Sequence, residues 1–473
     1  MDEIIRSKRA IDLAEQFAES AWQNRYFVWR NNTWVWSEEN RSWSTLTRQQ
    51  IRGSVGRWLR DVREKVPTEE DEPPRTKPFH FTAKLRDDVV SFLTTLNIME
   101  DGLQAPFDVE TGNRSLELDR CIFFKDVMYD AETGTTRPRE WNHFHVSILP
   151  FDFDPEAPAD LWNTTVLGWF KGCQLSDELL HRELGYLLMG FRGFDSIFVH
   201  AGKPRAGKGV VDRVQGALLG EENRIALNLN DMGDTFATQG LEYARQIVLS
   251  EYDEGKSGGD YPLRLRQLLK QIVGRDPIRV RAMYQGPQTM RCSAVPKIVG
   301  NTMPEIPDQA GSVWSKARVL WFGVSHLGGE DVTLEDRLRE ELPGIARRAA
   351  EAAHRLWNAP PGSRWPDPPQ AKAHLEEAIL LSNPVEAWLR ARTRRVPGSF
   401  VRKDILYADY LQWSRGRGHR PLSQNKWTTA CKSSSFALDD APRKIRDHDG
   451  EARSFRVFLG VSFDPGGRDA GDS

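Results

Sequence analysis

"FVHAGKPRAGKGVV", residues 198–211, decides how the chain is read. Gly202, Gly207 and Lys208 fall at the two glycines and the lysine of a G-x-x-x-x-G-K phosphate-binding loop. Gly209 stands where that motif usually places a Ser or Thr hydroxyl for Mg²⁺. The stretch is a damaged nucleotide site, a chance match or a working variant, and its surroundings have to discriminate. Ahead of it, "DSIFVHAG" is a short apolar run with β-branched residues, suited to a buried strand. After it, "GKGVVDRVQGALLG" sets Val211, Val214 and Leu218 on one helical face. Strand, glycine-rich turn and helix is the setting in which backbone N–H groups and a helix N-terminus receive phosphate. The predicted cradle comprises Gly202, Lys203, Pro204, Arg205, Ala206, Gly207, Lys208, Gly209 and Val210.

Three blocks downstream supply further chemistry. In "RQIVLSEYDEG" a β-run over Gln246–Leu249 ends at Glu251, with Asp253 close behind. Carboxylates at a strand's end can hold Mg²⁺ and orient an attacking water, although acidic residues also simply cap strands. In "VPKIVGNTMPEIPD" a strand over Pro296–Val299 ends at Gly300–Asn301, where an amide can sense a γ-phosphate or form an ordinary turn. In "GSVWSKARVLWF" Arg318 precedes an apolar strand; such an arginine is a surface residue, or it reaches a neighbouring subunit's site in a ring.

Taken together with "LLKQIVGRDPIRVRAMY", in which Lys270, Gly274, Asp276 and Arg281 align, these blocks resemble the superfamily-three helicases, in the phage and plasmid primase–helicase branch. The likeness extends upstream through "YFVWRNNTWVWSEENRSW" and "CIFFKDVMYDAETGTTRPREWNHFHVSILPFDFDP" and covers nearly the whole chain. It implies an α/β fold: an AAA+-like P-loop ATPase core with a parallel sheet, a small α+β collar before it and a winged-helix-like module after it. It also implies Asn301 as sensor, Arg318 as a finger acting in trans, and a hairpin within Arg275–Arg291 that projects into a ring channel. Gly209 departs from the usual motif but occurs in that branch. No primase–polymerase segment stands ahead of the hairpin, so any priming is expected from a separate primase or polymerase.

Length and composition set the bounds. The 473 residues exceed one ordinary core, and 39% hydrophobic with 28% charged residues describes a globular protein. No apolar run approaches the roughly 20 residues needed to cross a bilayer, so no membrane role is expected. Cys121, Cys173, Cys292 and Cys431 are scattered without a C-x-x-C, which fits a reducing cytoplasm rather than a disulfide framework or a zinc site. His143 and His145 share a strand face but have no neighbours to complete a metal site, and read as ordinary strand residues. Expected regions are a helix and hairpin over 1–70, with a helix from about Leu46 to Val66 and a charged, Pro-rich linker "VPTEEDEPPRTKP"; a strand-rich region over 79–165; the ATPase domain over 166–357; a C-terminal module over 370–464; and a disordered tail over 465–473. The hairpin tryptophans read as small-domain core.

Two segments point to nucleic acid. Arg279, Arg281 and Tyr284 offer phosphate partners and a stacking surface around a Gln285–Pro287 turn, where an exposed β-turn is the plainer alternative. From Trp388 to Arg446 there are 14 Lys or Arg against 4 Asp or Glu. A helix over Lys403–Ser414, a Gly/Arg turn with Arg415 and Arg417, and a second helix opening at Ser423 and carrying Lys426 have a helix-turn-helix layout, although winged helices also dock proteins. The expected function is an ATP- and Mg²⁺-dependent replicative DNA helicase, a hexameric homo-oligomer on single-stranded or forked DNA. The alternative is an ATP-switched DNA-binding initiator or scaffold; a packaging ATPase fits less well.

Overall fold

The computed structural model describes residues 3–66, 75–100, 103–227, 241, 244–250, 261–280, 288–304, 306–308, 311–417, 421–434, 436–446 and 451–464. The four apolar runs read as strands pair, with a fifth short strand, into a single parallel sheet. Its strands are β1 (Ile197–Gly202), β2 (Arg224–Ala226), β3 (Gln246–Ser250), β4 (Val295–Gly300) and β5 (Ala317–Phe322), in the order β2-β3-β4-β1-β5. A parallel sheet needs apolar cover on both faces. Helices α1 (Asp160–Trp169), α2 (Gln174–Leu188), α3 (Lys208–Leu219), α4 (Tyr261–Gly274), α5 (Leu342–Asn358) and α6 (Pro369–Ser382) provide it. Ile197, Val199 and Ala201 of β1 face α4 and α6, in one core with Leu268, Leu269, Ala371 and Ala378. Phe198, Leu320 and Phe322 face the other way and pack with residues of α1, α2, α3 and α5. That second core also takes in Ile122, Phe124 and Tyr129, so the strands of 121–130 are fastened to the same helices.

The N-terminal region differs from expectation in two places. The hairpin gains a third strand: Tyr26–Trp29, Asn32–Ser37 and Ser42–Leu46 form one antiparallel sheet. The following helix spans Arg48–Asp61, opened by a Thr47 capping box, and stops short of the expected Val66. Arg63–Val66 pairs instead with Arg75–Pro78, so part of the expected linker is strand; residues 67–74 lie outside the described residues. Both strands are polar, and a ladder held by backbone hydrogen bonds leaves no hydropathy signal. The tryptophans are core as read: Trp29, Trp36 and Trp43 pack with Phe27, Phe107 and Phe144.

The C-terminal region runs α7 (Pro384–Arg392), β6 (Thr393–Arg402), α8 (Lys403–Gly416), α9 (Gln424–Ser433), β7 (Asp440–Arg446) and β8 (Ala452–Phe463), its strands in the order β6-β8-β7. Trp388, Tyr410, Trp427 and Phe458 fill its core. The tail beyond 464 lies outside the described residues. No described helix is long and apolar enough to cross a membrane.

Candidate functional site

The chain leaves β1 and enters α3 through residues 203–207, at the carboxyl end of a strand flanked by β4 and β5. Chain direction reverses its placement in the sheet there, the position at which open α/β sheets take ligands. The turn is shaped by backbone that side chains would obstruct. Gly202 has φ 139° and Gly207 φ 97°; a Cβ on the first would overlap the Phe322 carbonyl, and on the second the Trp169 indole. Arg205 adopts φ 55° between them, a left-handed conformation that a non-glycine residue holds only at some cost. The segment after β5 ties the loop down: Lys203 N–H donates to Phe322 O at 2.9 Å, His326 N–H to Arg205 O at 2.9 Å, and the Ser325 hydroxyl to Pro204 O at 2.8 Å. Gly207 is the N-cap of α3 and offers no side-chain acceptor, so the first helical amides remain available to an anion.

Lys208 opens α3 and folds back over the loop. Its ammonium donates to Gly202 O and Lys203 O, each at 2.6 Å, and only 8% of the residue is exposed. Burial pulls its pKa below the usual lysine value. The ammonium is therefore held inside the cradle by weakly competing carbonyls and has no carboxylate partner among the described residues. Gly209 is exposed on the first turn of α3.

Beneath the loop lies a polar network that the sequence reading did not single out. His200 of β1 pairs through Nε2 with Glu183 of α2 at 2.7 Å, both fully buried. Burial lowers the His200 pKa and opposes ionisation of Glu183, but His200 and Lys297 more than compensate and keep Glu183 below its usual value. Gln215 of α3 donates to Glu183 at 2.8 Å and accepts from Lys297 of β4 at 2.7 Å. Lys297 also reaches Asp212 of α3 at 2.7 Å, and Arg224 of β2 bonds Asp212 at 2.6 Å. Burial resists a charge on Asp212, yet Lys297 and Arg224 hold its pKa at about 2. The available signal was a polar residue inside each apolar strand, His200 in "FVHAG" and Lys297 in "VPKIVG". A buried charge of this kind requires a partner.

The other predicted residues are placed as follows. Gly300 pairs with Ala201, so Asn301, exposed, leaves β4 at the level of Gly202. Strand β3 ends at Ser250, opposite Val299; Glu251 and Asp253 lie outside the described residues. Arg318 pairs with Phe198, whereas Gly202 pairs with Phe322. Four residues of strand, about 13 Å, separate Arg318 from its own chain's loop. There it lines a cleft of about 520 Å³ with Trp314, Trp365 and Asp367, and donates to Ser315 O and Ala317 O. Burial lowers its pKa and Asp367 opposes this. The strands Pro277–Val280 and Gln288–Arg291 form the expected antiparallel hairpin. Arg279 is on the first of them, while Arg281 and Tyr284 lie outside the described residues. Arg415, Arg417 and Lys426 are all exposed, with Arg417 over the Trp413 ring at 4.9 Å. His145 is buried and stacked on Phe123, and no cluster of metal-ligating side chains exists among the described residues.

Fold and loop together define a mixed α/β protein built on a five-stranded parallel sheet. No family model matches the chain. It is similar to an A-form apo structure of the NrS-1 C-terminal region, with a TM-score of 0.51 and 11% identity over 96% of this chain and 100% of that one. A second apo structure of that region gives 0.49 and 10% with the same coverage. The likeness at 0.51 concerns the fold alone.

Proposed function

We propose that the chain is the ATP-hydrolysing motor of a replicative DNA helicase. The observation that carries this is the cradle at the end of β1: two glycines whose Cβ positions are already filled, an uncapped 12-residue helix, and a buried Lys208 aimed across the loop. A triphosphate fits these residues. Its β/γ oxygens would replace the Gly202 and Lys203 carbonyls as partners of Lys208, and the α3 amides would receive the remaining charge. Bound Mg²⁺ would neutralise phosphate charge, with Glu251 and Asp253 as its carboxylates. Asn301 stands beside the loop as a γ-phosphate sensor. Arg318, at the opposite end of the sheet, serves an adjacent protomer in a ring, sixfold by the resemblance to superfamily-three helicases. The hairpin through Arg279, Arg281 and Tyr284 would engage single-stranded DNA, and the C-terminal order of helices and strands matches a winged helix. The fold likeness to the NrS-1 C-terminal region agrees with this replication-related reading.

The test is DNA-stimulated ATP hydrolysis together with unwinding of a forked substrate. Lys208→Ala should abolish both. Hydrolysis that survives this substitution sinks the motor assignment. Duplex binding with nucleotide-dependent assembly but no strand displacement would favour the initiator reading instead.

A further inference from the structure

The positive charge of the C-terminal module is concentrated on its sheet rather than on its helix-turn-helix. Strands β6, β7 and β8 carry eight Lys or Arg and one Asp. Four of those cations have acidic partners, Arg394 with Asp464, Arg402 with Asp404, Arg453 with Glu451 and Arg456 with Asp440, while Arg443 stays exposed over the Phe400 ring. On α9 Lys426 is exposed and Lys432 pairs with Asp440 at 2.5 Å. The sheet's inner face is closed by Phe458, which packs on Trp427 at 5.5 Å. Residues paired one step out of phase with Phe458 form the outer face. There Phe400 is opposite Leu459, Arg402 opposite Val457, and Arg443 opposite Phe455.

This outer face interleaves rings and guanidinium groups. Arg402 lies over Phe455 at 3.8 Å, and Arg443 reaches across the sheet to Phe400 at 5.0 Å. Phe400 remains 39% exposed. Val457 is fully buried although the register puts it on this outer side; the two cation–ring pairs flank it. An exposed Phe400 ring and a half-buried Phe455 ring overlaid by a guanidinium, on a cationic surface, are complementary to a polyanion that also presents flat apolar faces. Single-stranded nucleic acid is that ligand: bases stack on rings or on guanidinium planes while phosphates meet the arginines. Paired bases in a duplex cannot offer their faces in this way.

We infer that the outer face of the β6-β8-β7 sheet, through Phe400, Phe455, Arg402 and Arg443, is a binding site for single-stranded DNA, separate from the helix-turn-helix and from the nucleotide site. The experiment uses the full chain without nucleotide, so its result is independent of the motor reading. A fluorescein-labelled 20-nucleotide oligo-dT is titrated by anisotropy, and a 5-iododeoxyuridine version is photo-crosslinked and mapped by mass spectrometry. Crosslinks are expected at Phe400 or Phe455. Phe400→Ala with Phe455→Ala should weaken binding about tenfold or more, and Arg443→Glu, at an exposed position, should do so even if the paired ring variant folds poorly. Blunt duplex of equal length should compete poorly. Crosslinks confined to other segments, equal competition by duplex, or unchanged affinity in Arg443→Glu would each overturn the assignment, the last leaving the face to an acidic protein partner.

Discussion

Gly209 is exposed, and a methyl group built on it meets only the Arg213 guanidinium, at 3.2 Å, itself paired with Glu335. The position can accept a hydroxymethyl group with a small movement of a flexible side chain. Gly209→Ser should therefore fold normally and, on the proposed reading, lower the Mg²⁺ concentration that half-saturates hydrolysis severalfold. An unchanged Mg²⁺ dependence would show that the hydroxyl is not what this loop lacks. Gly202 and Gly207 are the opposite case. Both combine positive φ with a filled Cβ position, so alanine at either should cost about 1–3 kcal/mol in urea unfolding and distort the cradle. At this scale the sequence was legible where spacing itself encodes geometry, as in the two glycines and the lysine. It was opaque where function depends on pairing at depth. A lysine within "VPKIVG" signals a buried charge that needs a partner, but it does not say which partners it has, here Asp212 and Gln215.

At the scale of elements, that network joins α2, α3, β1, β2 and β4 immediately behind the loop. Removing one side of a buried ion pair is costly because the other charge stays behind. Asp212→Asn should destabilise by about 3 kcal/mol, and adding Lys297→Met should recover part of the loss; a single-variant cost near zero in urea melts would refute the coupling. The acid dependence has a definite sign. Asp212 titrates at about 2 in the fold, below its usual 3.8, so its contribution is complete above about pH 4 and is lost as pH falls through 2. Wild type should lose stability across that window, and Asp212→Asn should show a flatter acid limb. Elements with an apolar signature were legible in sequence: four strands of the parallel sheet (β2, Arg224–Ala226, was not among them), α9 opening at Ser423, and α8 from Lys403. Arg63–Val66 and Arg75–Pro78 were not, because a polar ladder looks like a linker until its partner strand is known. The break between the helix Leu334–Glu340 and α5 was equally hidden.

At the scale of the whole molecule, the sheet order and the opposite placement of Arg318 and Gly202 could not be read from sequence, since both arise from long-range pairing. They carry the prediction that depends on assembly. Lys208→Ala and Arg318→Ala should each be inactive alone, yet a mixture should regain hydrolysis, because some junctions then combine an intact loop with an intact arginine. A mixture that stays inactive after demonstrated subunit exchange, or an Arg318→Ala protein with full hydrolysis, counts against the shared site. On the proposed reading each copy carries the loop and Arg318 at opposite ends of its sheet, so contacts between copies would run head to tail. Dilution alone would then disarm the protein. Turnover per copy should climb steeply with concentration and plateau once the circle closes, making the protein a gauge of its own abundance.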